Sequence, residues 1–217
     1  MQVHIVSATR RDKKSFWEQG ALGLSLRRLA HDNRLTPWIA YENTQGLPDI
    51  YNQVISPDVP TGAIVFVHDD VWLDDMFFVD RILEGLEQYE VIGLAGNRRR
   101  VDQQPAWAFV DQSFRWDERQ YLSGRIAHGD AAFGRVTDYG IVPAPCELLD
   151  GILLAAKSDV LLSHDCRFDP RFKFHFYDLD FSRTARLRGL RMGTWPIGVT
   201  HQSGGAFGTE SWWQGYR

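Results

Sequence analysis

A chain of 217 residues with 44% apolar and 24% charged side chains is long enough to bury a core and polar enough to be a water-exposed globular fold. Its formal net charge of −4 disfavours a nucleic-acid binder, which needs a basic excess to meet the phosphate backbone. Two cysteines are too few for a disulfide framework or a cysteine zinc site, and no stretch reaches the roughly 20 apolar residues of a membrane span.

The opening residues, MQVHIVSATRRDKKS, set a short apolar stretch directly before charges, without the longer apolar core and cleavage site of a signal peptide. Cys146 and Cys166 are therefore expected as buried reduced thiols of a cytoplasmic protein, with any membrane attachment peripheral and at the inner face. No repeat, low-complexity tract or linker interrupts the chain, so a single domain over 1–217 is expected.

Val3–Ala8 reads as a buried strand, and 15–30 as one helix with Leu22, Leu26 and Leu29 at helical spacing. A second strand is expected over 37–41 and a short helix over 49–55. The third strand, Ala63–Val67, runs into His68-Asp69-Asp70. A helix over 74–86 carries Val79, Ile82, Leu83 and Leu86 as an apolar stripe, and a fourth strand over 91–95 stops at Gly96-Asn97. Residues 97–145, rich in aromatics, Gly and Arg, read as loops with a small hairpin. Regular elements return as a strand over 151–156, helices over Ser158–Ser163 and 178–188, the latter closed by Gly189, and a strand over 192–197. From His201 the chain is glycine-rich and then aromatic, as a mobile flap would be. The β-α alternation of the first half predicts an α/β domain with a mostly parallel central sheet flanked by helices. Ligands would sit beyond the carboxyl ends of its strands.

The segment VFVHDDVW, residues 65–72, ends a strand in one imidazole and two carboxylates. A strand end of this kind carries oxygen donors to the sheet rim, where they can hold a hard divalent cation; the same aspartates also serve as helix caps or turn residues. In FHFYDLDFSRTARLRG, residues 174–189, Asp178 and Asp180 open an arginine-rich helix, either as caps or as a general base facing a cleft. His201, in VTHQSGG, is a strand-end imidazole, and Asp150-Gly151 turns into the strand LLDGILLA. Eight Trp and thirteen Phe supply faces that stack on sugars, although most such rings fill cores.

Taken in order, ENTQGLPDIYNQVI, VFVHDDV, LDGILLA, FHFYDLDFSRTARLRGLRMGTWPI and THQSGG resemble the segments of bacterial family-two-like glycosyltransferases of the GT-A fold, over nearly the whole chain. The resemblance implies a nucleotide-binding half over 1–96 and an acceptor-side half with a closing tail over 97–217. It implies inverting, metal-dependent transfer of a sugar from a nucleotide-diphospho-sugar, commonly a uridine one, to a glycan, lipid-linked or protein hydroxyl. Asp70 would hold Mn²⁺ or Mg²⁺, with His201 as a second ligand. His68 stands where the family has an aspartate, so its contact with metal, ribose or neither stays open. Ser7, Ala8, Thr9, Glu42, Asn43 and Asp69 would line the donor site, Arg10 would approach the diphosphate, and Asn52 would contact the base or brace the pocket. Asp150, Gly151, Trp107 and Trp212 would face the acceptor. Asp178 is preferred to Asp180 as base, with Tyr177 where a glutamate is common.

Two basic runs, 10–14 and 98–100, fit either phosphate contact or solvated loops. The Q-x-x-R-W spelling at 112–116 matches a motif of membrane-embedded relatives, but it precedes Asp178 in a chain without a span, and is read as coincidence. Two other classes remain: a nucleotidyltransferase or metal hydrolase, and a catalytically degenerate module of the same fold that binds nucleotide or glycan as a scaffold.

Overall fold

In the computed structural model, which describes residues 1–203 and 207–216, the chain begins with the strand Val3–Ala8 (β1), buried along its whole length. Asp12 caps Lys13–Gln19 (α1), its carboxylate accepting from the Ser15 backbone N–H at 3.0 Å. The single helix expected over 15–30 is two. Gly20, extended at φ −74° and ψ 138°, ends α1 and opens Ala21–Arg28 (α2). A Cβ on Gly23 would run into the Phe16 carbonyl, so the close crossing of the two helices needs glycine there.

Leu35–Ala40 (β2) carries Pro37 and a partly exposed Trp38, both tolerated because β2 is an edge strand. Leu47–Val54 (α3), Ala63–Val67 (β3), Val71–Leu73 (β4), Phe78–Gln88 (α4), Val91–Gly93 (β5) and Ala95–Asn97 (β6) follow. The irregular section contains the expected hairpin, Leu122–His128 (β7) with Arg135–Gly140 (β8), and then the short strands Ala144–Pro145 (β9) and Leu148–Leu149 (β10). Leu153–Lys157 (β11), Ser158–Ser163 (α5), Tyr177–Leu187 (α6), Met192–Thr194 (β12), Val199–His201 (β13) and Glu210–Tyr216 (α7) complete the described elements. Residues 204–206, the glycine-rich centre of the expected flap, lie outside the described residues. No described helix is long and apolar enough to cross a membrane.

The main sheet runs β2-β1-β3-β11-β5-β12-β9. It is mixed, which corrects the mostly parallel sheet expected from sequence. β1 is parallel to β2 and β3, but β11 is antiparallel to both β3 and β5, and β9 is antiparallel to β12. Parallel entry needs a long crossover, whereas β11 arrives by a short turn from β10, which belongs to the second sheet. That sheet runs β10-β6-β7-β13-β4, with β8 on β7. The strand expected over 91–95 is divided between the sheets, β5 in one and β6 in the other.

Alternating side chains of the main sheet feed two cores. Val3, Ile5, Ala63, Val65 and Val67 pack with Phe16, Leu22 and Ile82 of the helices on one face; Val6, Ile64 and Phe66 pack with Tyr51 and Phe181 on the other. Cys146 and Cys166 are buried free thiols, each pushed up to about 12 by burial, so neither is a reactive thiolate at neutral pH.

Candidate active site

Backbone register assembles the site. β3 delivers His68 at its carboxyl end, and a two-residue turn through Asp69 and Asp70 leads into β4. β4 pairs antiparallel with β13 so that Val71 lies opposite His201, and the Gln202 N–H donates to the Asp70 carbonyl at 3.0 Å. These two short ladders bring one donor atom each of His68, Asp70 and His201 within 4.8 Å of one another. His201 Nε2 lies 3.4 Å from Asp70 Oδ1 and 3.1 Å from Ser203 Oγ. Burial works to raise the Asp70 carboxyl, but the hydrogen bond and charge of His201 outweigh it and hold the group well below the usual carboxylate range.

Tyr177 fixes which nitrogen of His68 is available. The phenol donates its one hydrogen to the Gly151 carbonyl at 2.7 Å, so it can only accept from His68 Nε2, 2.8 Å away. Nε2 therefore carries the proton and Nδ1 keeps its lone pair. Burial, with the neighbouring His201 acting in the same direction, lowers the His68 pKa and favours that neutral form. The Phe174 ring stacks on the imidazole at 5.7 Å.

Beside His68 and His201 opens a cavity of about 570 Å³ that Asp178, Asp150 and a wall of aromatic rings also line. Asp178 stands in the first turn of α6, after Phe176, whose φ of 66° is a left-handed conformation that a bulky residue adopts only when its surroundings impose it. Its Oδ2 accepts from the Gly151 N–H at 3.2 Å. Desolvation, and after it the charge of Asp150, raise the Asp178 pKa to about 7, against a smaller opposing effect of backbone N–H groups. A carboxyl of this kind is poised to take a proton near neutral pH. Asp150 differs. Both of its oxygens are engaged, Oδ2 by the Trp107 indole N–H and Oδ1 by the Ile152 N–H at 2.8 Å.

Trp107, Trp212, Asp150 and Gly151 all line this cavity. Trp212 is buried and packs on Phe114 and Phe176, so α7 contributes to the wall. Asp180 does not line it; its charged neighbours are Asp169, Arg183 and Arg171. Among the described residues, none of Ser7, Ala8, Thr9, Arg10, Glu42, Asn43, Asn52, Asp69 and Asp70 borders the cavity. Ser7, Ala8 and Thr9 end β1 and Glu42-Asn43 follow β2, two strands parallel to each other and, through β1, to β3, so they share its sheet edge. The Glu42 N–H donates to the Arg11 carbonyl and the Asn43 N–H to the Thr9 carbonyl, which ties the two loops together. Ser7 Oγ is buried with no hydrogen-bond partner among the described residues. Asn52 braces the fold: its side-chain amide donates to the Phe168 carbonyl at 2.7 Å and accepts from the Phe168 N–H at 3.0 Å.

Sequence reasoning missed His128, Trp116, Tyr139 and the Phe174–Phe176 segment as cavity residues. The first three fall in the section read as irregular: pairing across β7–β8 sets the faces of His128 and Tyr139, and an isolated bridge to Phe109 places Trp116. Trp116 and Tyr139 stack at 5.9 Å, and Trp107 meets Tyr139 edge-on at 5.0 Å. Burial and His201 hold His128 below the usual imidazole range.

No protein-family model matches the sequence, and no curated protein does. Among solved structures the chain is similar to A197 from STIV, at 12% identity and a TM-score of 0.47, over 90% of this chain and 82% of that one. It is also similar to the mannosyltransferase PcManGT from Pyrobaculum calidifontis in complex with GDP-Man and Mn²⁺, at 14% identity and a TM-score of 0.49, over 97% of this chain and 59% of that one. The chain thus spans less than two thirds of the mannosyltransferase's length. At these values neither likeness carries an argument about this chain, whose chemistry is read from its own residues.

Proposed function

We propose that this protein transfers a sugar from a nucleoside-diphosphate donor to a hydroxyl of an acceptor, with a divalent cation held by His68, Asp70 and His201. The observation that carries the reading is the convergence of those three donor atoms, two of which, on His68 and His201, belong to residues lining a cavity that also presents Asp178.

The donor set fits a cation. One carboxylate and two imidazoles suit Mn²⁺ better than Mg²⁺, which favours an all-oxygen shell, and with Nε2 bonded to Tyr177, His68 would ligate through Nδ1. When bound, the cation supplies charge neutralisation for the departing diphosphate. The protein's residues do the rest. The loops after β1 and β2, with Ser7, Thr9, Glu42, Asn43 and Asp69, are proposed to take the nucleoside along the sheet edge, with Arg10 toward the diphosphate. Trp107, Trp116 and Tyr139 offer ring faces to an acceptor sugar. Asp178 accepts the proton of the attacking hydroxyl. Asp150 is held in place by the Trp107 indole and the Ile152 N–H and serves to position the cavity wall. A single displacement with Asp178 as base, and hence inversion at the anomeric carbon, is proposed from the resemblance.

The reading is tested by assaying nucleoside diphosphate release from a panel of nucleotide sugars with Mn²⁺, with and without chelator. Cation-dependent release that an acceptor accelerates supports it. Tight nucleotide binding with no release under any acceptor would instead favour the scaffold reading.

His68 and Tyr177, the two departures from the family pattern, contact each other, and that contact gives them a joint role. Tyr177→Phe removes the acceptor of the His68 Nε2 proton and releases the ring to the wrong tautomer. Mn²⁺ affinity is expected to fall by about 10- to 100-fold, the effect of losing an outer-shell partner, measured by titration calorimetry. Unchanged affinity would remove Tyr177 from the site.

A further inference from the structure

A second hollow lies on the far face of the β7–β8 hairpin. Side chains alternate along a strand, so Ile126, His128 and Tyr139 turn into the aromatic cavity while Arg125 and Asp138, cross-strand partners, turn away from it. There Arg98, just after β6, and Arg119 join Arg125 around a shallow depression of about 530 Å³ bordered by Gly140 and Ile141.

Three guanidinium groups and a single carboxylate, Asp138, line this hollow, and only two of the three bond to it. Asp138 takes Arg119 Nη2 at 2.8 Å and Arg125 Nε at 3.0 Å, and Arg119 Nη1 also donates to the Asp138 carbonyl at 2.9 Å. Arg98 has no carboxylate partner among the described residues; its Nη1 reaches the Gln120 carbonyl at 3.3 Å. The neighbouring Arg99 is occupied otherwise, paired with the buried Asp117 and lying 3.5 Å over the Tyr121 ring. A solvated basic loop would let its arginines diverge. Here strand register and the Asp138 carboxylate hold Arg119 and Arg125 side by side, and Arg98 adds an uncompensated charge. Fixed guanidinium forks of this kind match the oxygens of a phosphoryl group.

We propose that Arg98, Arg119 and Arg125 form a binding site for a phosphoryl anion, on the opposite side of the hairpin from Asp178. Ile141, 64% exposed at the rim, and Val136, 61% exposed on the same face as Asp138, add an apolar flank for a carbon chain attached to the phosphate. The phosphoryl group is the shared chemistry of a lipid headgroup and of a soluble phosphate ester.

The test is calorimetric titration of inorganic pyrophosphate in chelator, so that no cation can recruit it to His68, Asp70 and His201. Saturable binding is expected, weakened at least about tenfold in Arg98→Ala, an exposed position where truncation leaves the core untouched. Absence of saturable binding, or binding that Arg98→Ala leaves unchanged, overturns the proposal. Flotation with phosphatidylcholine vesicles, alone or carrying phosphatidic acid, separates the two sources. Co-flotation on phosphatidic acid that pyrophosphate competes away and Arg98→Ala loses assigns a headgroup. Pyrophosphate binding without flotation assigns a soluble ester, and flotation insensitive to Arg98→Ala counts against the site.

Discussion

Asp178→Asn is expected to lower transfer by about 10²- to 10⁴-fold, the range of a positioned general base, while Mn²⁺ and donor binding persist. The amide keeps the shape of the carboxyl and cannot take a proton. The pH dependence follows from the raised pKa. With the group titrating at about 7, kcat/KM of the wild type should climb with pH and level off above neutrality, and a cation bound nearby would move that limb lower. The variant should lose the limb altogether. Stability runs in the opposite sense. A carboxyl whose folded pKa lies above its unfolded value of 3.8 contributes stability that is fully present below about 4 and lost as pH rises through 7. The whole shift corresponds to at most about 4 kcal/mol, and partial exposure to cavity water reduces this to about 1–2 kcal/mol. Asp178→Asn should therefore be more stable than the wild type at pH 8 and equal to it near pH 4, in denaturant melts. A variant that keeps turnover, or that gains no stability at alkaline pH, would remove Asp178 from its role as a buried base.

Asp70→Asn is expected to abolish both turnover and stabilisation by Mn²⁺. Asp70 is the carboxylate of the three-residue donor set, and His201 holds it ionised. An amide oxygen is a neutral and weaker ligand, and two imidazoles alone are a poor site for a hard cation. In the wild type, Mn²⁺ at one hundred times its dissociation constant should add about 2.7 kcal/mol of apparent stability, or roughly 5–10 °C in the midpoint of a domain this size. That increment should vanish in the variant, whose melt without metal should itself fall at neutral pH because the interaction with His201 that holds Asp70 ionised is lost. A retained Mn²⁺ shift would place the cation elsewhere.

Much of this site was legible before the structure because strand ends advertise themselves. The apolar run of β3 breaking into His68-Asp69-Asp70, and the isolated His201 before glycines, name the residues that converge. The convergence itself was not legible. It depends on β4 and β13, each three residues long, too short to show a period and formed by tertiary pairing. The preference for Asp178 over Asp180 rests on the resemblance alone; positions two apart on a helix point roughly 200° apart, and which of the two lines the cavity, Asp178, is visible only in the structure. The mixed sheet escaped because direction is set by how the chain enters, and β11 carries the same buried apolar run that a parallel strand would. His128 and Tyr139 escaped because β7 and β8 show no clean apolar–polar alternation, and their register is shifted between Gly124 and Arg125, so sequence alone does not show which side chains share a face.

The most direct measurement is pulsed electron paramagnetic resonance of Mn²⁺ bound to the protein with a nucleoside diphosphate. Coupling of one Mn²⁺ to imidazole nitrogen and to phosphorus is expected, with the nitrogen signal weakened in His201→Ala and in His68→Ala. Coupling to phosphorus without any protein nitrogen would show the cation travelling with the nucleotide alone, and His68, Asp70 and His201 would then have another purpose.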